Sequence, residues 1–343
     1  MATDWSERVD PDEARRFADY ALQITELQSR ARRGGSAARG LHARAHVGLV
    51  GSLTVHSTEA ALQHGPFARP QRWPAYIRFS SGSPTPRPDW IPDICGLAIK
   101  LVGVPGRKLL AGEEDALTQD FTFIQTPSLP VRDPDEGLAI LGMAMRKPWL
   151  LLPWMLTTFG LRRSLAMAKA ALTMPVVRSL PAARFYSAAP SRLGDGAVQL
   201  VLEPRTGPIQ RPPRLLRADG LRRELVGRLR EGPLRWDLVL RRFVDERTTP
   251  IEDTSVAWPD VAGPRDCIAT LEIPAQVVDS ERGRAIEALV ESLAFNPWHT
   301  VPELRPLGAM MRARVAAYRA SVDARGARPE PSEVLPCQTP GSM

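Results

Sequence analysis

Arg314, Tyr318, Ser321 and Arg325 recur at i, i+4, i+7 and i+11 within RPLGAMMRARVAAYRASVDARGA, residues 305–327. At 3.6 residues per turn they fall within about 40° of one another on one helix face. Such a stripe is ordinarily apolar and turned to a core. Here it carries two guanidiniums, a phenol and a hydroxyl, flanked by Ala313, Val315, Ala317 and Val322. Two readings fit this spacing: a solvated face, or a face turned to a buried partner that needs cations and a phenol. In the second, Arg314 one turn from Tyr318 favours the phenolate, because a nearby opposite charge stabilises the ionised form. A phenolate is a hard anionic ligand, and ferric haem is one centre that takes it.

A second constellation lies near the other end of the chain. RGLHARAHVGLVGSLTV (39–55) sets Arg39 and His42 just before an apolar alternating run, and YIRFSSG (76–82) sets Arg78 and Ser80 two apart on another. On a strand, residues two apart point to one face. An imidazole, a hydroxyl and two guanidiniums could therefore share a site, and arginines converging on an apolar wall need an anion.

The elements that must position these groups are legible in outline. Residues 11–33 read as a charged amphipathic helix with Phe17, Tyr20, Ala21, Ile24 and Leu27 at helical spacing, ended by Gly-Gly-Ser at 34–36. VGLVGSLTV, AYIRFSS, GLAIKLVGV and DFTFIQTP read as strands of an antiparallel sheet, followed by AVQLVLEP (197–204), WDLVLRRFV (236–244) and CIATLEIP (267–274). Seven or so such strands predict a β-barrel or sandwich. Residues 134–182 are helical in composition, and 281–294 and 306–325 form two further helices. The Pro-rich end, ARPEPSEVLPCQTPGSM, is expected to be disordered.

Composition bounds the answer further. The 343 residues are 43% apolar and 24% charged, which suits one large globular domain or two smaller ones and excludes a disordered or collagen-like chain. Three widely spaced cysteines, Cys95, Cys267 and Cys337, argue against a disulfide framework and for a reducing compartment. The charged start MATDWSERVDPDEARR does not mark the chain for secretion, so a cytoplasmic protein is expected. Net charge is +7, but the basic residues are spread along the chain rather than gathered with aromatics, which argues against nucleic acid as a partner. The apolar run in RKPWLLLPWMLTTFGLRRS is broken by Pro153 and too short for a membrane span. It reads as a buried hairpin or lid, or as an interfacial patch over 148–161 with Trp149, Trp154, Arg146, Arg162 and Arg163 at its edges.

Taken in order, these segments resemble the haem catalase superfamily. RGLHARAHVG is similar to its distal-histidine segment, R-x-x-H-A-K, and YIRFSSG to its R-F-S segment. DICGLAIKL is similar to its D-x-x-G-x-A-x-K strand, and DFTFIQTPSLPVRDP to the segment ending P-x-x-x-x-R-D-P. WDLVLRRFVDERTTPIEDTSVAWPD, LAFNPWHTVP and RARVAAYRASVDAR resemble the run that ends in the R-x-x-x-Y proximal helix. The resemblance covers about 39–135 and 185–325. It implies an α+β protein with a catalase-type antiparallel β-barrel, a helical insertion, an N-terminal helical arm and a C-terminal haem-ligand helix. The expected boundaries are an arm over 1–36, a haem domain over 37–326 and a tail over 327–343. Within that domain, barrel strands would lie at about 42–133 and 197–275, the insertion at about 134–182 and helices over 281–325.

Carried residue by residue, the resemblance makes His42 the distal acid–base group and Ser80 its orienting hydroxyl. Tyr318 becomes the axial iron ligand of haem b, held as phenolate by Arg314, and Arg39, Arg78 and Arg325 become partners of the haem propionates. The family's distal asparagine, three residues before the proline, is replaced by Ile124, and the neighbouring Gln125 is expected to substitute in part. One extra residue in HARAHVGLVG makes His46 a competitor, and His42 is preferred because it keeps the R-x-x-H-A-[KR] spacing. The family's haem-stacking phenylalanine has no clear counterpart after Pro134. With no counterpart to the C-terminal helical domain of larger catalases, the chain is most similar to the small, minimal catalase-like proteins. The implied activity is oxidation by hydrogen peroxide or an organic hydroperoxide, peroxidase-like with weak catalase activity. The alternatives are an allene-oxide-synthase-like hydroperoxide lyase or isomerase, or a non-catalytic haem- or lipid-binding barrel. The implied partners are peroxide, an organic or hydroperoxide substrate, a peripheral lipid contact and further copies of the chain, as a dimer or tetramer.

Overall fold

The computed structural model describes residues 4–31, 39–205, 217–260 and 266–341. The N-terminal helix α1 (Glu13–Ala31) precedes the long strands β1 (Arg44–Val55), β2 (Gln71–Ser81), β3 (Cys95–Val102) and β4 (Thr118–Ile124). Helices α2 (Pro134–Arg146) and α3 (Leu151–Leu172) follow, then strands β5 (Phe185–Ser187), β6 (Ser191–Leu193) and β7 (Gly196–Pro204). The chain continues through α4 (Gly220–Glu231), β8 (Leu234–Arg242), β9 (Asp266–Ile273), α5 (Glu281–Ser292) and α6 (Ala309–Arg325).

All strand pairs are antiparallel, in the order β5-β4-β3-β2-β1-β9-β8-β7-β6. Pairing of Phe185 with Leu202 and of Tyr186 with Val201 joins β5 to β7, which closes eight strands into a barrel and leaves β6 as a short hairpin on β7. The expected barrel is therefore present, and a sandwich is excluded.

Strand alternation divides the barrel wall. Ile77 and Phe79 of β2, Leu97, Ile99 and Leu101 of β3, and Phe121 and Phe123 of β4 point inward to one large core. Each such side chain contributes about 1.5–3 kcal/mol on burial. The residues between them, Tyr76, Arg78 and Ser80 on β2, Gly96, Ala98 and Lys100 on β3, and Asp120, Thr122 and Ile124 on β4, face outward. Helix α5 covers part of this outer wall through Ile286 and Val290 against Val50 and Tyr76. The strands missed by the sequence reading, β5 and β6, are three residues each, too short to show periodicity. Helix α4 was also missed: its leucines and valine at 221, 225, 226 and 229 pack inward but are separated by four charged residues.

Helix α2 begins at the Asp-Pro pair the sequence displays: the Asp133 side chain accepts from Glu136 N at 2.8 Å, and Pro134 takes the first helical position. Burial works against ionisation of Glu136, but hydrogen bonds from Arg163 and Arg132 hold it down to about 2. No described helix is long and apolar enough to cross a membrane.

The expected disordered tail is corrected by the structure. From Arg328 to Gln338 the chain lies along the outer barrel wall, with Val334, Leu335 and Cys337 against the α5 cluster. Glu330 reaches Lys100 Nζ at 2.6 Å. Proline-rich composition here reflects an extended strap whose partners are supplied by other elements. The Gly-Gly-Ser at 34–36 lies outside the described residues.

Candidate active site

His42 ends the loop that leads into β1. Its backbone is in the left-handed region, φ 55°, the single non-glycine residue so placed among those described. That conformation costs about 1–2 kcal/mol for an L-residue. It is held from both sides: His42 N donates to Gly82 O at 2.9 Å, and Arg78 Nη2 donates to His42 O at 3.0 Å. The effect is to fold the imidazole back over the barrel wall, where Nδ1 meets Ser80 Oγ at 3.0 Å.

The wall at this level is a row of cross-strand neighbours: Ala45 on β1, Ser80 on β2, Gly96 on β3, Ile124 on β4 and Tyr186 on β5. Gly96 makes room for the ring, since a Cβ there would stand 2.6 Å from His42 Cε1 and 2.8 Å from Nδ1. Ile124, at the position expected for a distal amide, is buried beside Gly96 in the same row. Gln125 is buried, with Nε2 3.4 Å from Asp93 O, while its Oε1 has no hydrogen-bond partner.

Burial, and after it the guanidiniums of Arg78, Arg314 and Arg39, push the His42 imidazole down to about 3. The ring is therefore neutral at physiological pH and has one nitrogen committed to Ser80. The charge of Arg314 on α6 is near enough to bear on the imidazole, and Tyr318 lies one turn further along the same helix. Tyr318 is half-buried, and no contact among the described residues joins it to the His42–Ser80 pair. Arg314 touches Met311 Sδ at 3.6 Å and has no carboxylate partner among the described residues. The backbone of Arg325 closes α6; its side chain lies outside the described residues.

Arg39 and Arg78 do meet an anion, though one the sequence reading missed. Arg78 Nε and Nη2 bind Glu291 of α5 at 2.8 and 3.1 Å, and Arg39 Nε lies 3.5 Å from the same carboxylate. Arg39 also donates to the carbonyls of Glu291 and Leu293. An acid in a helix 250 residues away in sequence has no local signal; only the pairing of α5 with the barrel reveals it. The same holds for Arg312, which binds Glu13 at 2.8 Å and reaches Glu7 and Glu252, tying α6 to the N-terminal arm.

His46, the competing histidine, is the extra residue of a β-bulge: Ala45 pairs with Ser80 and Val47 with Phe79, leaving His46 unpaired between them. It is fully buried, with Nε2 2.9 Å from Ser81 Oγ, and burial pushes it down to about 3 as well. Asp89 lies 4.0 Å from its Nδ1 but is engaged by Arg44 at 2.6 Å. His46 is a core group on the other side of the bulge from the Ser80 row, its Nε2 held by Ser81 and its buried Nδ1 without a hydrogen-bond partner among the described residues.

An eight-stranded antiparallel barrel with this helix order is the catalase fold. The chain superposes on a fungal catalase with TM-score 0.66 and 19% identity, covering 90% of this chain and 63% of that one. For a bacterial catalase the values are 0.63, 16%, 97% and 66%, and for catalase A of Saccharomyces cerevisiae 0.58, 15%, 89% and 64%. The chain thus spans about two thirds of the length of the solved catalases it matches. A catalase-related peroxidase of Mycolicibacterium paratuberculosis is 28% identical over 306 residues, 84% of this chain and 88% of that protein. No family model matches the sequence. The chain thus has the catalase fold, and its sequence is similar to that of a catalase-related peroxidase.

Proposed function

We propose that the protein is a haem-b oxidoreductase that uses hydrogen peroxide or an organic hydroperoxide, more peroxidase than catalase. The observation that carries this reading is the buried, neutral His42 held by Ser80 on a glycine-cleared wall, ringed by the positive charges of Arg78, Arg314 and Arg39. The residues present fit the group. Three guanidiniums surround the site against the single carboxylate of Glu291, Arg314 is left without a carboxylate, and Gln125 Oε1 is buried without a partner. Such a site favours an anionic, polar-edged ligand. Tyr318 would hold the iron through its phenol oxygen, and Arg39 and Arg78, with Arg325 further along α6, would pair with the carboxylates of the group.

When bound, the haem supplies the redox centre at which the peroxide O–O bond is cleaved. His42 takes the proton of the entering peroxide and returns it to the departing oxygen, which leaves as water or alcohol. Because Ser80 occupies Nδ1, Nε2 is the atom that exchanges this proton. Burial and the nearby guanidiniums keep the imidazole unprotonated across the physiological range, which leaves the Nε2 lone pair open toward the peroxide. Ile124 removes a hydrogen bond that would orient a second, water-like peroxide. That loss, roughly 1–3 kcal/mol, lowers oxygen release more than oxidation of an organic donor at the haem edge.

The test is one experiment on haem-normalised holoprotein, comparing wild type with Tyr318→Phe. Wild type should oxidise an organic donor readily and evolve oxygen weakly, and the variant should retain haem poorly with an altered spectrum. Unchanged haem content and spectrum in Tyr318→Phe would overturn the ligand assignment, and oxygen evolution without donor oxidation would overturn the activity.

A further inference from the structure

The strongest unassigned feature is the insertion helix α3 and the turn before it. The chain makes a sharp break at Gly160, where φ is 75° and ψ 167°, so α3 is two helical pieces. In the second piece Leu161, Leu165 and Leu172 recur at i, i+4 and i+11, within about 40° on one face. That face points to solvent: the three leucines are 65%, 59% and 87% exposed, whereas Ser164 and Met167 on another face are buried. Trp149 and Leu152, before the break, are 74% and 62% exposed. The helix therefore carries its apolar stripe outward, opposite to the arrangement that stabilises a solvated helix.

The charge around the stripe is of one sign. Residues 137–182 contain six lysines and arginines and no aspartate or glutamate. Arg163 is taken by Glu136 and Arg146 by Glu26, while Lys147, Arg162, Lys169 and Arg178 have no carboxylate among the described residues. Arg162 and Lys169 fall at the edge of the leucine stripe, where long side chains can lie beside apolar surface and keep their charge in a polar layer.

From these observations we infer that α3 docks on the surface of an anionic bilayer, lying in the plane of the headgroups. Leucines on one face bordered by unpaired cations, with an exposed tryptophan in the turn before the helix, are what such an interface takes. The helix does not cross, being neither long nor apolar enough. Self-association through the same face is disfavoured, because a two-fold axis would oppose cations with cations and supplies no acid to neutralise them. Beyond the hairpin, Val176 and Val177 line a cavity with Ser81, Asp93 and Cys95, on the face of the barrel wall opposite to Ser80 and Gly96. The inference stands on exposure and charge and is independent of the haem assignment.

The test is co-sedimentation of the full chain with vesicles of phosphatidylcholine alone and of phosphatidylcholine with phosphatidylglycerol. Sedimentation with the anionic vesicles, weakened by salt, is expected. Arg162→Gln with Lys169→Gln should weaken it about tenfold or more, from about fivefold per cation, and Leu161→Ser with Leu165→Ser should abolish it. Because these side chains are exposed, circular dichroism of the variants should match wild type. Binding equal on both vesicle types, binding indifferent to both double variants, or no binding at all would overturn the inference. So would a lipid-free dimer that the serine variant dissociates while vesicles capture nothing.

Discussion

At the residue scale the site depends on a ring held in a strained place. His42 and Gly96 form a matched pair, one folding back at positive φ and the other leaving space within 2.6 Å of it. His42→Ala should lose peroxide-dependent turnover by about 10²–10⁴-fold while retaining haem. Gly96→Ala should do nearly the same with the histidine still present, because the new methyl displaces the ring from Ser80; steady-state donor oxidation measures both. His46→Ala, by contrast, should alter stability more than turnover. Its linkage has a definite sign. A histidine lowered from 6.5 to about 3 binds fewer protons folded than unfolded, so stability is full above pH 6.5 and declines as pH falls toward 3. Between pH 6.5 and pH 5 each buried imidazole should cost about 2 kcal/mol. Urea unfolding at pH 7 and pH 5 should show a shallower pH dependence in His46→Gln than in wild type.

At the scale of elements, charge and apolar packing clamp α5 onto the barrel, and charge ties α6 to the N-terminal arm. Glu291 gathers Arg39 and Arg78, so α5 fixes the loop and strand that bear His42 and Ser80. Glu291→Gln would leave two guanidiniums facing a neutral amide. The carboxylate is still 45% exposed, so water screens the loss, and a cost of about 1–2 kcal/mol is expected rather than that of a fully buried pair. The diagnostic reading is a loss of turnover larger than the loss of stability, because the His42 carbonyl is anchored by the same Arg78; equal losses would show that Glu291 acts on stability alone. On the other side Arg312 holds α6 to α1 through Glu13, which sets the height of the Arg314–Tyr318 face.

For the whole molecule, the strap after α6 closes the structure over the wall that carries the site. Lys100 is fully buried between Asp120 at 2.7 Å and Glu330 at 2.6 Å, Thr118 Oγ1 donates to Glu330, and Leu335 N donates to Tyr76 Oη at 3.0 Å. Burial alone would lower the lysine, but the two carboxylates more than offset it and hold it above its ordinary value. Removing residues 328–343 would take away one carboxylate and uncover the cluster around Val50 and Tyr76. A loss on the order of 3 kcal/mol is expected, or roughly 4 °C in the thermal midpoint, with an unchanged midpoint counting against the strap. Much of this molecule is legible in its sequence. Alternating apolar runs specified the seven long strands, helical spacing specified α1, α5 and α6, and the Arg314–Tyr318 and His42–Ser80 pairs stood out because polar groups occupied core-like positions. Those signals are local, carried by periods of two and 3.6 residues. Barrel closure, the α5 carboxylate, the His46 bulge and the ordered strap were not legible. Each of them depends on two segments far apart in sequence meeting in space, where a three-residue strand, one glutamate or a proline-rich end acquires its partner only when the barrel folds.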